Sequence, residues 1–146
     1  MSGTETTRLA REILQTAKTV ASVGISRDPL KYAHQVPQYL QEHGYRIVPV
    51  NPTAAELLGV PAYPALSAIP TDLARTIDVV QVFRPSGQIL PIVEEAKALR
   101  GRFGRPWVIW MQLGIIDELA AAAARATGFQ VIMNRCMMVE HTRLTG

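Results

Sequence analysis

The sequence predicts an α/β fold: an open, mostly parallel sheet with helices on both faces, three layers in all. Three observations predict it. Short apolar runs alternate about five times with segments of helical periodicity. Some of those runs, such as IDVVQVF at 77–83, are apolar almost without a break, as expected of strands covered on both faces. The chain has 146 residues, 48% hydrophobic and only 18% charged, which suits one domain over 1–146 with one core and argues against disorder.

The elements follow in order. Residues 5–17, ETTRLAREILQTA, place Leu9, Ile13 and Leu14 on one helical face, which is to pack on the sheet or dock on a partner chain. The stretch TVASVGIS carries the first strand, Val20 to Ile25, and ends in the turn Gly24-Ile25-Ser26. Pro29 forbids an immediate helix and widens that turn into a loop. A helix over 33–42 turns Val36, Tyr39 and Leu40 inward, with Pro37 harmless in its first turn. His43-Gly44 stops it. RIVPV, at 46–50, is the second strand and leaves the sheet at Asn51-Pro52.

Residues 54–58 read as one or two helical turns. Residues 60–63 read as a short edge strand, because Pro61 and Pro64 bar an interior one. Residues 66–70 read as a loop or single turn. The strand at 77–83 ends at Arg84-Pro85-Ser86, and Ser86 is read as the cap of a helix over 87–99. A polar, basic loop covers 101–106. The strand PWVIWM ends at Gln112-Leu113-Gly114, with Trp107 and Trp110 read as packing residues on opposite sides. Asp117 caps the helix ELAAAAARA, which Gly128 closes. QVIM is the last strand, Asn134-Arg135-Cys136 leaves its end, and residues 137–146 read as a tail.

Composition narrows the ligand. The net charge is +3, and the basic residues are scattered: Arg27 and Lys31 near the first turn, Arg84 after a later strand, Arg100, Arg102 and Arg105 in one loop. That pattern serves an anionic small molecule and lacks the dense basic stripe of a nucleic-acid binder. No apolar run reaches the roughly 18 residues that a membrane span needs. Arg8, Arg11 and Glu12 interrupt any signal-peptide core, so the expected compartment is the cytoplasm. The single cysteine, Cys136, excludes an internal disulfide and any cysteine-based zinc site.

In an open α/β sheet, ligands sit beyond the carboxyl ends of the strands, near the switch in strand order. Those ends supply Gly24, Ile25 and Ser26, then Asn51 and Pro52, then Phe83, Arg84 and Pro85, then Gln112, Leu113 and Gly114, then Asn134 and Cys136. Together they offer backbone amides, side-chain amides, a guanidinium and a hydroxyl to a phosphate-bearing ligand. His34 follows the first loop and joins the candidates. The first turn lacks the G-x-G-x-x-G dinucleotide fingerprint, and the second strand ends in Asn51 instead of the carboxylate that holds the adenosine ribose of NAD. Cys136 has two readings, a thiol able to form a mixed disulfide with a thiol ligand and an inert buried residue.

TVASVGIS, YLQEHGYRIVPVNP, DVVQVFRPSGQILPIVEEA, WMQLGI and MNRCMMVEH, in that order, resemble the small CoA-binding domain proteins of the YccU-like group. The resemblance covers about residues 16–144. That family is similar to the N-terminal domain of the succinyl-CoA synthetase α subunit. It implies a Rossmann-like domain binding CoA or an acyl-CoA across its strand ends. By position, Gly24 and Ser26 would line the phosphate turn, and Arg27 and Lys31 would meet the CoA phosphates. Phe83, Arg84 and Pro85 would flank the nucleotide or pantetheine path, and Gln112 to Gly114 would close the far side. The synthetase's second domain, with its phosphorylated histidine, has no counterpart here. The expectation is therefore a CoA-binding module without catalysis of its own. Its rivals are an NAD(P)-binding redox domain and a detached synthetase subunit working with a partner chain; a homodimer also fits.

Overall fold

The structure is a computed structural model that describes residues 2–145. Seven strands form in chain order: β1 (Thr19–Val23), β2 (Arg46–Val50), β3 (Glu56–Leu57), β4 (Val60–Pro61), β5 (Val79–Val82), β6 (Val108–Met111) and β7 (Gln130–Ile132). The helices are α1 (Gly3–Thr16), α2 (Tyr32–Glu42), α3 (Thr71–Ala74), α4 (Leu90–Phe103), α5 (Glu118–Ala126) and α6 (Met137–Thr145), with a 3-10 turn at Leu66–Ala68. Five strands make one parallel sheet in the order β2-β1-β5-β6-β7. The sheet is Rossmann-like, as the alternation predicted, and has helices on both faces.

Burial explains why the runs became strands. Every residue of β1, β5 and β6 is buried. Ala21, Val23, Val80, Val82, Ile109 and Met111 face the side covered by α4 and α5. Val20, Val79, Val108 and Trp110 face the side covered by α1, α2 and α6. Ala10, Ile13 and Leu14 of α1 are buried in that second layer, so this face is core and not a docking surface. Each of Ile13 and Leu14 contributes about 1.5–3 kcal/mol by leaving water. Ala120, Ala121 and Ala124 of α5 are fully buried, small enough to let the helix lie close on its neighbours. Among the described residues no helix is long and apolar enough to cross a membrane.

Several local expectations are corrected. Residues 56–61 form an antiparallel hairpin in place of helical turns. Leu58 at φ 54° and Gly59 at φ 75° both take the left-handed conformation that a two-residue hairpin turn demands. The hairpin stands outside the main sheet, which tolerates Pro61. Helix α4 begins at Leu90, not at 87, and Ser86 does not cap it; the Ser86 hydroxyl donates to Ile116 O instead. The helix also runs on to Phe103, into the expected loop, and stops at Gly104. Residues 71–74 form a further helical turn, and the expected tail is α6. Trp107 precedes β6 and packs on the same layer as Trp110, so the two do not face opposite sides. Asp117 caps α5 as expected, accepting from Ala120 N at 3.0 Å.

Candidate functional site

The order β2-β1-β5-β6-β7 reverses direction between β1 and β5. The chain leaves β1 for one edge and returns to the other side of β1. This switch opens a crevice at the carboxyl ends of those two strands. Gly24 ends β1, and Phe83 and Arg84 end β5, so they flank it. At Gly24, with φ +89°, a Cβ would lie 3.3 Å from Phe83 Cβ and 3.4 Å from Arg84 Cδ. The glycine therefore lets the first turn close against the end of β5, and the fold itself requires it.

Beyond Gly24 the loop is built by its own hydrogen bonds. Ile25 is buried, and Asn51 Nδ2 donates to its carbonyl at 2.9 Å. Asn51 Oδ1 accepts from Thr53 N and Ala54 N at 2.9 and 3.0 Å. One carboxamide thus ties the end of β1 to the chain leaving β2. Ser26 Oγ accepts from Asp28 N, and Asp28 Oδ1 accepts from Leu30 N, each at 3.0 Å. His34 Nδ1 lies 2.7 Å from Ser26 O, so that nitrogen carries the hydrogen. Both His34 and Asn51 spend their side chains shaping the loop.

The cations divide. Arg27 donates to Thr53 Oγ1 and is exposed, and so is Lys31. Among the described residues Arg84 and Lys31 have no side-chain hydrogen bond or ion pair. Arg84 is half-buried and lines a small cleft of about 160 Å³ with Pro52, Gln88 and Glu95. A space that small does not enclose a nucleotide, so a ligand here would lie across the strand ends. Leu30, 86% exposed, stands in the same loop as Arg27 and Lys31, and Tyr32, 67% exposed, opens α2 directly after it. Sequence reasoning passed over both; apolar residues in a Pro-containing loop without periodicity are the signal that would have marked them.

The far strand ends are arranged differently. Gln112 is buried, with its Oε1 accepting from Gln81 Nε2 at 3.1 Å and from Met137 N at 3.0 Å. Gln81 Oε1 in turn accepts from Ser22 Oγ at 2.7 Å. This buried chain links β1, β5 and the end of β6 to the start of α6, and it commits the Gln112 side-chain oxygen inward. Leu113 and Gly114 are exposed, and Gly114 N donates to Asn134 Oδ1 at 2.7 Å, joining the loops after β6 and β7. Pro52 and Pro85 are exposed beside the crevice.

Cys136 is 6% exposed and follows a segment anchored over the end of β6, where Trp110 Nε1 donates to Arg135 O at 2.9 Å. That is two to three strand spacings from Gly24, roughly 10–14 Å. The structure does not bring Cys136 and the first turn together. Instead Cys136 lines a larger cleft, of about 1010 Å³, between α1 and α6. The larger concavity thus lies away from the switch, and the strand-order argument, not size, selects the candidate site.

A second cluster escaped the sequence reading. Tyr39 Oη and His141 Nδ1 share a hydrogen bond of 2.9 Å, and His43 stacks on Tyr39 with ring centroids 3.9 Å apart. Burial, then the neighbouring His43, holds the His141 pKa below its usual value. Burial, then Tyr39, raises that of Tyr45. The cluster joins α2 to α6, and His141 stands 102 positions from Tyr39, too far for periodicity to reveal the pair.

Fold and crevice together define a doubly wound α/β protein with its topological switch between β1 and β5. The chain belongs to the CoA binding domain family, whose model matches residues 18–142. It is 39% identical over 131 residues to the uncharacterized protein YneT of Bacillus subtilis, covering 90% of each chain. It superposes on the structure of cell-free ID.343 from Thermus thermophilus with a TM-score of 0.83 and 38% identity, over 94% of this chain and 98% of that one. It is also similar to acetyl-coenzyme A synthetase 1 of Ca. Korarchaeum cryptofilum, a dinucleotide-forming enzyme solved with phosphate and ADP. That likeness has a TM-score of 0.66 and 25% identity, over 84% of this chain but 27% of the enzyme.

Proposed function

We propose that the chain is a small cytoplasmic CoA- or acyl-CoA-binding protein, a single domain over 1–146 with no catalysis of its own. The observation that carries the reading is the meeting of Gly24, Asn51, Phe83 and Arg84 at the β1–β5 switch, in a chain of the CoA binding domain family. In this reading the backbone at Gly24–Ser26 and the cations Arg27, Lys31 and Arg84 take the phosphates. Arg forks suit a diphosphate, and Lys supplies a point charge. Leu30, Tyr32 and Phe83 supply apolar surface to the base and the pantetheine arm. Pro52 and Pro85 border the path, and Leu113, Gly114 and Asn134 lie at its far end.

The geometry at Asn51 weighs against an NAD(P) redox domain. Its carboxamide is engaged with three backbone groups, and no carboxylate stands where a ribose would be held. The likeness to part of an acetyl-coenzyme A synthetase favours a second reading, a detached subunit acting with a partner chain. Both are tested directly. Thermal unfolding with millimolar CoA, dephospho-CoA, NAD and NADP should show a dose-dependent rise with CoA alone or CoA best. No rise with CoA and a clear rise with NAD would discard the proposal. Co-purification with a chain carrying a nucleotide-grasp domain, together with acyl-CoA formation by the pair, would establish the second reading.

A further inference from the structure

The cleft between α1 and α6 meets the far end of the proposed CoA path at Leu113 and is otherwise lined by residues that the path does not use, and its charge is unusual. Arg8 and Arg11 line it from α1, and Arg135 and Arg143 from the segment that enters and forms α6; Glu140 is the sole carboxylate among the residues that line it. Four guanidiniums against one carboxylate leave an excess of three, as large as the net charge of the whole chain.

The four arginines are not equivalent. Arg135 is fixed: it donates to Glu140 Oε1 at 2.8 Å, to Thr7 Oγ1 at 3.1 Å and to Gly3 O at 3.2 Å, so it pins α1 to α6. Arg143 shares the same buried carboxylate at 3.3 Å. Glu140 is thereby fully committed. Among the described residues Arg8 and Arg11 have no hydrogen bond or ion pair to their side chains. They stand three residues apart on one helix, a like-charge spacing that costs stability unless an anion lies between them. The N-terminal turn of the 14-residue α1 also lines the cleft, at Gly3 and Thr4, and adds its dipole in the same sense. A volume of about 1010 Å³ is that of a nucleotide-sized site.

We propose that this cleft is a second anion site, which takes a small molecule carrying two or more adjacent phosphoryl groups. Arg8 and Arg11 are its mobile clamps and Arg135 its fixed anchor. It shares Leu113 with the far end of the proposed CoA path but none of that path's cations, Arg27, Lys31 and Arg84.

Trp110 provides a local reporter, because its indole N–H donates to the carbonyl of Arg135. Inorganic pyrophosphate is titrated into the full-length, ¹⁵N-labelled chain at constant ionic strength, and the Trp110 indole cross-peak is followed, with Trp107→Phe used to assign it. The peak should move saturably in the wild-type chain and in the Arg27→Ala/Lys31→Ala pair. In Arg8→Ala/Arg11→Ala the midpoint should rise by about tenfold or more, the equivalent of one lost charge-assisted contact. Both removed side chains are exposed and unpartnered, so this variant should melt no lower than the wild type does. Arg143→Ala, on the other wall, should weaken the same response and serves if the first pair misfolds. An unmoved peak at millimolar pyrophosphate, an unchanged midpoint in Arg8→Ala/Arg11→Ala, or a loss that follows Arg27 and Lys31 would overturn the proposal.

Discussion

Gly24→Ala is the sharpest single test of the crevice. At φ +89° an L side chain is strained, at a cost of about 1–3 kcal/mol. The added Cβ also meets Phe83 Cβ at 3.3 Å and the Phe83 carbonyl carbon at 3.4 Å, a tenth or two tighter than comfortable. Backbone cannot swing aside as a side-chain tip can, so the end of β5 must shift, adding about 1 kcal/mol. Gly44 separates the two terms. Its φ is +96°, yet nothing lies within 4 Å of its Cβ position, and it sits at the opposite end of β2. Gly44→Ala therefore carries strain without contact. At about 2–4 °C per kcal/mol for chains near this size, Gly24→Ala should melt several degrees below Gly44→Ala, itself below the wild type. Under the proposed function CoA affinity should fall by about tenfold in Gly24→Ala, or about 1.4 kcal/mol, because Arg84 moves with Phe83. Gly44→Ala should bind as the wild type. Scanning calorimetry and equilibrium titration read both quantities. Equal melting of the two variants would refute the contact argument, and unchanged CoA affinity in Gly24→Ala would refute the placement of the site.

Asn51→Ala should cost about 1–3 kcal/mol in urea denaturation and weaken CoA, since it strands the Ile25 carbonyl and two backbone N–H groups. Asn51→Asp should not rescue it, because a carboxylate cannot donate to that carbonyl. Ser22→Ala should cost about 1–3 kcal/mol by leaving Gln81 Oε1 buried without its donor, and adding Gln81→Leu should recover part of the loss, again by denaturation. His141 gives a pH signature. Its pKa in the folded state lies below the ordinary 6.5, so the unfolded chain binds more protons in that window. Stability is full above about pH 6.5 and falls as pH drops through the folded value; His141→Gln should flatten that limb in a series of melts.

Where sequence and structure part company, the distance between interacting groups decides. The alternation of strands and helices, the Asp117 cap and the stop at Gly44 rest on partners within a turn or two, so they could be read. Ser86 could not: its hydroxyl bonds a carbonyl 30 positions away, and the residue that looks like a helix cap is a loop clasp. Gln112 stands at a strand end, where a carboxamide usually faces solvent. It turns inward because α6, unread in the sequence, brings Met137 N to it. The tail became a helix for a related reason. Arg135 and Thr7, 128 positions apart, tie it to α1, and that tie also builds the basic cleft.

Gly24 shows how one residue can answer to the fold and to a candidate site at once. From the sequence, its place in the turn that ends the first strand suggests a phosphate-binding role. In the structure the absent Cβ first makes room for Phe83 and Arg84, so the turn would need glycine even with no ligand. The residue is thus no evidence for binding by itself. What points to binding is its position at the one place where strand order reverses, beside a guanidinium that the fold leaves unpaired. Arg84 is the discriminating side chain of the pair: replacing it removes nothing that holds the strands together. Arg84→Ala should therefore leave the melting temperature within about a degree or two, as expected of a side chain with no partner to lose, and still weaken CoA. A variant that melts lower but binds CoA unchanged would assign Arg84, like Gly24, to the fold alone.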